Sequence, residues 1–211
     1  MKFDIITIFP NLFEGFKKEA LIARGIKKKI ILINAHNLRD WTHDNHKTVD
    51  DKPYGGGVGM VLKTEPIYDA VQSLERKAKS AKHKTKVILF SPRGKKFDQK
   101  IAQKYAKLDN LIMICGRYEG VDERVAKYIA DDVISVGDYV LSGGEVPAML
   151  VMEAVSRLVP GFIAKKESAD KKDHAQYTRP EEIKINGKKR KVPEVLLSGN
   201  HEKIKKWREN L

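Results

Sequence analysis

Short apolar runs alternate with helical patterns along the first part of the chain. Runs of β-branched and other apolar residues predict buried strands, and apolar positions at helical spacing lie between them. The predicted strands cover residues 3–9, 30–33, 87–90, 111–115 and 133–136, and the predicted helices cover 11–24, 65–79, 98–107, 121–129 and 145–158. In the last helix, Val146, Leu150, Glu153 and Arg157 fall close together on one side. Alternating strands and helices are typical of a parallel sheet covered on both faces, so we predict an α/β domain.

The pattern changes after Pro160-Gly161. Residues 164–192 are polar, rich in Lys and without apolar periodicity, which predicts a linker or a loop. A short apolar stretch at 193–197 and a basic helix over 200–209 follow. We therefore predict three parts: a domain over 1–160, a linker over 161–181 and a C-terminal segment over 182–211.

Positive charge exceeds negative charge and is clustered. Lys and Arg number 41 against 28 Asp and Glu, a formal net charge of +13. The excess lies in residues 76–104 and near the C-terminus, in 188–191 and 203–208. Basic surface of this density favours a polyanionic partner through phosphate contacts and counterion release. We therefore expect the partner to be a nucleic acid.

The chain lacks the sequence signals of secreted and membrane proteins. Cys115 is the one cysteine, which excludes an internal disulfide and fits a reducing compartment. The first 15 residues include Asp4 and Glu14 and no small-residue cleavage site, so we expect no signal peptide. No apolar run reaches the roughly 18 residues of a membrane span. The sequence predicts a cytoplasmic protein that does not enter a membrane.

Glycines cluster directly after predicted strands, in 116–120 and 137–144, and Ser91-Pro92-Arg93-Gly94 follows a third strand. Ligands in open α/β sheets bind beyond the carboxyl ends of strands, where glycine lets the backbone approach closely. Neither G-x-G-x-x-G nor the P-loop pattern is present. A pocket built mostly from backbone suits a neutral adenine and ribose.

Longer motifs resemble those of bacterial tRNA (guanine-N1-)-methyltransferases, a family of the knotted SPOUT class. These motifs occupy residues 8–13, 46–60, 115–124, 137–145 and 177–180. The resemblance implies a trefoil-knotted α/β fold with a mainly parallel sheet and a short helical C-terminal segment. It also implies an obligate homodimer whose active sites are shared between the subunits. Family members usually continue beyond the helix that begins at His201, so we expect the C-terminal RNA-binding segment of this chain to be truncated.

The activity that the resemblance implies is methyl transfer from S-adenosylmethionine to N1 of the guanosine 3′ of the anticodon, tRNA position 37, with Mg²⁺ required. A first alternative is a knotted methyltransferase acting on ribose 2′-oxygens, but the motifs at 46–60 and 177–180 belong to the guanine-N1 family. A second alternative is a non-catalytic RNA-binding relative, because the segment between Ser168 and Tyr177 is shorter than in the family.

Methyl transfer to guanine N1 needs a base for the N1 proton and a group that stabilises negative charge on O6. Arg157 matches the family arginine for the second role by position, although cations are favoured at helix C-termini in any case. In the family, an aspartate stands four residues after the serine that corresponds to Ser168. In this sequence Lys172 occupies that position. Asp173 is our candidate base and Asp170 is the alternative.

The resemblance assigns the remaining site residues. The cofactor residues are Phe90, Ser91, Pro92, Gly116, Tyr118, Glu119, Gly120, Ser135, Val136, Gly137, Asp138, Tyr139, Val140, Leu141, Gly143, Gly144 and Pro147. The substrate residues are His46, Asp50, Tyr54, Gly55 and Ser168. Glu119 is a candidate for holding the methionine amino group or a metal, although an acid is also favoured at the start of a helix. The histidines and acids of 43–51 match no zinc spacing, so we expect no structural metal.

Overall fold

The computed structural model describes residues 1–164 and 175–209. The chain divides into two compact units, Met1–Ala169 and Asp170–Leu211. In the described residues, no helix is long and apolar enough to cross a membrane.

A parallel sheet lies at the centre of the first unit. Its strands are β1 (Lys2–Thr7), β2 (Leu32–Asn37), β5 (Thr85–Lys96), β6 (Asn110–Ile114) and β7 (Asp132–Ser135). They lie in the order β2-β1-β6-β5-β7, and every neighbouring pair is parallel. The short strands β3 (Asp50–Asp51) and β4 (Val61–Leu62) form a separate antiparallel pair. Each predicted strand contributes to the five-stranded sheet, so the prediction of an α/β fold with a mainly parallel sheet is confirmed.

Helices pack against both faces of this sheet. They are α1 (Phe13–Lys18), α2 (Ala20–Lys27), α3 (Thr64–Ser80), α4 (Gln99–Tyr105), α5 (Glu123–Tyr128) and α6 (Glu145–Ser156). Successive strand residues point to opposite faces. Ile5 therefore joins the core cluster that contains Val151 of α6, and Ile6 joins the cluster that contains Leu74 of α3.

The predicted single helix over 11–24 is wrong. Glu19 is extended, with φ −117° and ψ 154°, and Ala20 has φ 50°, so α1 and α2 are separate helices. Phe13 and Ile22 are nine residues apart, and at 3.6 residues per turn one straight helix would place them on opposite sides. The break lets both side chains enter the same core cluster.

Strand β5 continues beyond its predicted end at Phe90. Its pairing with β7 changes register between Phe90 and Lys95, so residues 91–94 form a bulge. Gly94 makes this close approach possible, because a Cβ there would lie 2.6 Å from the backbone nitrogen of Ile134. The bulge turns the carboxyl half of β5 into the wall of a cavity.

The described part of the second unit begins with irregular chain and a β-hairpin. Strands β8 (Glu182–Ile185) and β9 (Lys188–Lys191) are antiparallel and are followed by α7 (Glu194–Leu197) and α8 (His201–Glu209). Asn186 and Gly187 connect the strands with φ 51° and 75°. Positive φ at both central residues is the hairpin geometry that Asn-Gly favours. The predicted linker without regular structure over 164–192 is therefore wrong for 182–191.

Candidate functional site

A cavity of about 430 Å³ lies at the carboxyl ends of β5, β6 and β7. This volume falls within the roughly 300–1,000 Å³ that is usual for small-molecule sites. The bulge of β5, the loop after β6 and the loop between β7 and α6 form its walls. The three segments that the sequence singled out therefore meet at one cavity, where open α/β sheets bind ligands.

Every residue predicted to bind the cofactor lines this cavity except Asp138. The lining residues among them are Phe90, Ser91, Pro92, Gly116, Tyr118, Glu119, Gly120, Ser135, Val136, Gly137, Tyr139, Val140, Leu141, Gly143, Gly144 and Pro147. Asp138 is exposed instead, and its carboxylate pairs with the Lys96 ammonium at 3.1 Å.

Several lining residues were not predicted, among them Arg93, Arg117, Glu123 and Ser142. All four stand within or beside the motifs that carried the prediction, so their position in the sequence was the available signal. Arg93 and Glu123 form an ion pair of 2.6 Å between the β5 bulge and α5. The hydrogen bond from the Arg93 guanidinium holds the pKa of the Glu123 carboxyl below its usual value.

The two glycine-rich loops touch each other directly. The amide of Gly144 donates to the carbonyl of Gly116 at 3.0 Å. A Cβ at Gly144 would lie 2.6 Å from the Cα of Cys115, and one at Gly143 would lie 2.6 Å from Glu145 Oε2. The glycines therefore allow the loops to pack against each other, in addition to any space they leave for a ligand.

The predicted substrate loop is attached to the cofactor loop after β6. The amide of Glu119 donates to the Met60 carbonyl, and the amide of Leu62 donates to the Gly120 carbonyl, both at 3.0 Å. A Cβ at Gly59 would lie 2.6 Å from Glu119 Cγ. The glycine-rich end of the substrate loop thus lies directly against a residue of the cavity wall.

The predicted substrate residues within 1–164 do not line the cavity. His46, Tyr54 and Gly55 are exposed, and Asp50 is half-buried in β3. Gly55 has φ 82° and no atom near the position of a Cβ, so this part of the loop projects into open space. The exposed residues of this loop are therefore accessible from solvent.

Arg157 lies at the opposite end of α6 from the cavity. It is the residue directly after the helix, and it is half-buried. At about 1.5 Å per residue, α6 separates it from Gly144 by about 20 Å. Ser168, Asp170 and Asp173 lie outside the described residues. One copy of the described chain therefore does not bring Arg157 to the cavity.

In residues 1–164 and 175–209, no three His, Cys, Asp or Glu side chains come together in a way that could hold a metal ion. Glu119 therefore belongs to no such group within these residues.

Comparison with known proteins decides the family. The family model described as tRNA (Guanine-1)-methyltransferase TrmD matches residues 1–211, the whole chain. The chain belongs to this family. A tRNA (guanine-N(1)-)-methyltransferase of Geobacter sp. (strain M21) is 47% identical in an alignment that covers 99% of this chain and 83% of that protein. The protein of the same name from Thermotoga maritima is 49% identical, with 99% and 84% covered.

A solved structure agrees with the assignment to the tRNA (Guanine-1)-methyltransferase family. The crystal structure of tRNA (m1G37) methyltransferase from Aquifex aeolicus matches with a TM-score of 0.82 and 40% identity, covering 100% of this chain and 90% of that one. The resemblance seen in the motifs is thereby confirmed, as is the prediction that the chain is a methyltransferase. The trefoil knot, the homodimer and the cytoplasmic location stay predictions.

Proposed function

We propose that the protein transfers a methyl group from S-adenosylmethionine to N1 of the guanosine 3′ of the tRNA anticodon. The observation that carries the proposal is the junction of the cavity wall with the substrate loop at Gly59 and Glu119. It places a small-molecule cavity beside a surface loop, as transfer from a bound cofactor to a large RNA requires.

The cavity fits S-adenosylmethionine in size and in chemistry. Glycine-rich loops line it, where backbone N–H and C=O groups can approach the edge of a neutral adenine, while Leu141 and Tyr139 offer partly exposed apolar surface. Glu119 is our candidate partner for the methionine amino group. The cofactor, when bound, supplies a methyl group made electrophilic by a positively charged sulfur. We assign Mg²⁺ no residue in the described parts of the chain.

The chemistry then requires two groups from the chain. Guanine N1 carries a proton at neutral pH, so a carboxylate must remove it while the nitrogen attacks the methyl group. We propose Asp173 as this base, with Asp170 as the alternative. Negative charge that develops on O6 needs a cation nearby, and Arg157 is our candidate.

A second copy of the chain would bring Arg157 to the cavity. Val146 and Leu150 lie on α6 with 60% and 41% of their surface exposed, on the helix side that also carries Arg157. In a symmetric contact along this side with antiparallel helices, Val146 would lie beside the partner subunit's Arg157. Since Val146 follows the cavity residue Gly144 by two positions, each cavity would receive its arginine from the other subunit.

Subunit mixing tests this arrangement. We expect Gly144→Ala and Arg157→Ala proteins to be nearly inactive alone and to regain methyl transfer when refolded together. In a mixed dimer, the Arg157→Ala chain provides an intact cavity, and the Gly144→Ala chain provides the intact arginine for that cavity. Initial rates with labelled cofactor measure the gain, and mixing either variant with itself is the control. No gain above the separate proteins would contradict a shared site.

The second unit offers a basic surface for the RNA. The β8–β9 register places Lys188 opposite Ile185 and Arg190 opposite Ile183, so one hairpin face combines cations with two half-exposed isoleucines. On the other face, Glu182 pairs with Lys189 and Lys191 and offsets part of the charge. The first of these faces is our candidate for phosphate contacts.

Affinity for tRNA is expected to fall steeply with salt, because each lysine or arginine on a phosphate displaces a counterion. The logarithm of the association constant should decrease linearly with the logarithm of the salt concentration. Filter binding between low and physiological ionic strength measures the slope, and Arg190→Gln should make it shallower by about one. A flat dependence would exclude an electrostatic interface.

The function itself is tested by incubating the protein with labelled S-adenosylmethionine and bulk unmodified tRNA. Digestion to nucleosides should yield N1-methylguanosine. A 2′-O-methylated nucleoside would support a ribose methyltransferase. Cofactor binding without any transfer would support a non-catalytic relative.

A further inference from the structure

Glu145 is a buried carboxylate that does not line the cavity. It is 1% exposed and is the first residue of α6. Both of its oxygens are used, because Oε1 accepts the Thr7 hydroxyl at 2.7 Å and Oε2 accepts Arg117 Nε at 2.9 Å. Thr7 is 138 positions away in the sequence and ends β1. The carboxylate therefore joins the first strand of the sheet to the loop after β6.

Arg117 extends this connection to the other glycine-rich loop. Its Nη1 donates to the Ser142 carbonyl at 3.3 Å, and its guanidinium lies 4.7 Å from the centre of the Phe9 ring. The backbone of Phe9 is held as well, because its amide donates to the Thr7 hydroxyl at 3.0 Å. One buried carboxylate thus connects the end of β1 with both loops that form the cavity wall.

A buried charge tolerates few alternative arrangements. Removing a carboxylate from water is costly unless charged or polar partners compensate, and here Arg117, Thr7 and the N-terminal end of α6 provide that compensation. Moving the loop after β6 would break the ion pair of Arg117 with Glu145, a group that water hardly reaches, and moving the loop before α6 would break the more exposed hydrogen bond from Arg117 to Ser142. The network therefore holds the two loops at a fixed separation before any ligand enters.

We infer that Glu145 is a positioning residue for the cofactor, which acts by fixing the Arg117 and Ser142 segments of the wall. The inference rests on the proposed function, since it takes S-adenosylmethionine as the ligand of this cavity. Glu145 binds no ligand atom, so its loss weakens cofactor binding and leaves the chemical step intact.

The test uses variants that keep the shape of the side chain. Glu145→Gln removes the charge, and Thr7→Val removes the hydroxyl, while Thr7→Ser retains it. We expect Glu145→Gln to raise the Kd and KM for S-adenosylmethionine roughly tenfold, the scale of a lost charged hydrogen bond, with kcat at saturating cofactor within about twofold. Thr7→Val should also weaken cofactor binding. Thr7→Ser, which keeps the hydroxyl, should bind the cofactor as the wild type does.

Asp4→Asn is the matched control. Asp4 is also a fully buried carboxylate, and it lies on β1, the strand that ends at Thr7. It accepts hydrogen bonds from Asn34 and His36 at 3.1 and 2.8 Å. Burial raises its pKa, but the hydrogen bonds from His36, Lys2 and Asn34 outweigh burial and lower the pKa to about 2. We expect this variant to lower the Tm as Glu145→Gln does, and to leave the Kd for the cofactor unchanged.

Hydrogen exchange of the unliganded protein gives a readout that needs no cofactor. Amides of 116–120 and 142–144 should exchange faster in Glu145→Gln and Thr7→Val, and at the wild-type rate in Asp4→Asn. Wild-type affinity together with wild-type exchange in Glu145→Gln would overturn the inference and leave the proposed function standing. If the wild-type protein binds no S-adenosylmethionine, the proposed function fails, and the exchange rates alone decide whether Glu145 fixes the loops.

Discussion

Asp173→Asn is expected to lower the rate of methyl transfer by about 10²-fold or more, the usual scale for a lost general base. The amide cannot take the N1 proton, and a protonated N1 has no free electron pair for the methyl group. Cofactor affinity should stay near wild type, because the described residues that line the cavity all lie within 89–147. Single-turnover rates with labelled cofactor measure the first quantity, and calorimetry measures the second.

Asp170→Asn is the matched control for this experiment, since it removes a carboxylate from the same segment. If Asp173 is the base, the Asp170 variant keeps most of its activity. The reverse result would transfer the role to Asp170. Normal turnover in both variants would show that neither aspartate is the base.

Gly144→Ala is expected to weaken S-adenosylmethionine binding by roughly 10²-fold, which corresponds to about 3 kcal/mol of binding free energy. The added Cβ would lie 2.6 Å from the Cα of Cys115. Because this is a backbone atom, the clash can be relieved only if the two loops move apart. Their hydrogen bond from Gly144 to Gly116 would then lengthen or break. Calorimetric titration of the folded variant measures the loss.

Gly15→Ala is the control, because no atom lies within 4 Å of a Cβ at that position in α1. It should bind the cofactor as the wild type does. Gly116→Ala should have an intermediate effect, because its new Cβ would meet Val121 Cγ2 at 3.0 Å, and that methyl group belongs to a side chain that can rotate. Full affinity in Gly144→Ala would show that the contact between the loops is irrelevant to binding.

The central sheet was predictable because its strands are buried on both faces. A strand with a core on each face needs apolar side chains at successive positions, and residues 111–115 and 133–136 are such mainly apolar runs. The structure places β6 and β7 over nearly the same positions. Strand β2 was harder, because it begins at Leu32 and continues through the polar Asn34 and His36. Those two side chains face the buried carboxylate of Asp4, which periodicity alone does not reveal.

The hairpin at 182–191 was missed although a local signal existed. Asn186-Gly187 is the dipeptide that most favours a two-residue hairpin turn, and Ile183 and Ile185 alternate with polar residues before it. The density of lysine around them resembles that of a disordered segment, and the prediction followed the composition. Local turn chemistry was the better guide here.

The site was predictable in part for a different reason. The glycine-rich loops follow strands in the sequence, so the rule for open sheets locates the cavity without a structure. The connection between Thr7 and Glu145 could not be predicted, because it joins residues at opposite ends of the first unit through the strand order. The distance of Arg157 from Gly144, in contrast, follows from the length of the helix that was predicted over 145–158.

The glycine-rich loops of the cavity wall also limit how its ligand recognition can change. Every amino acid has a backbone carbonyl, and every one except proline has a backbone N–H, so substitutions at most wall positions leave these groups in place. Substitutions at Gly143 or Gly144 disturb the loops themselves. An inhibitor that binds through these backbone groups would therefore meet few resistance mutations that preserve activity. We expect such mutations at exposed side chains such as Tyr139 and Leu141, which an inhibitor can be designed to avoid.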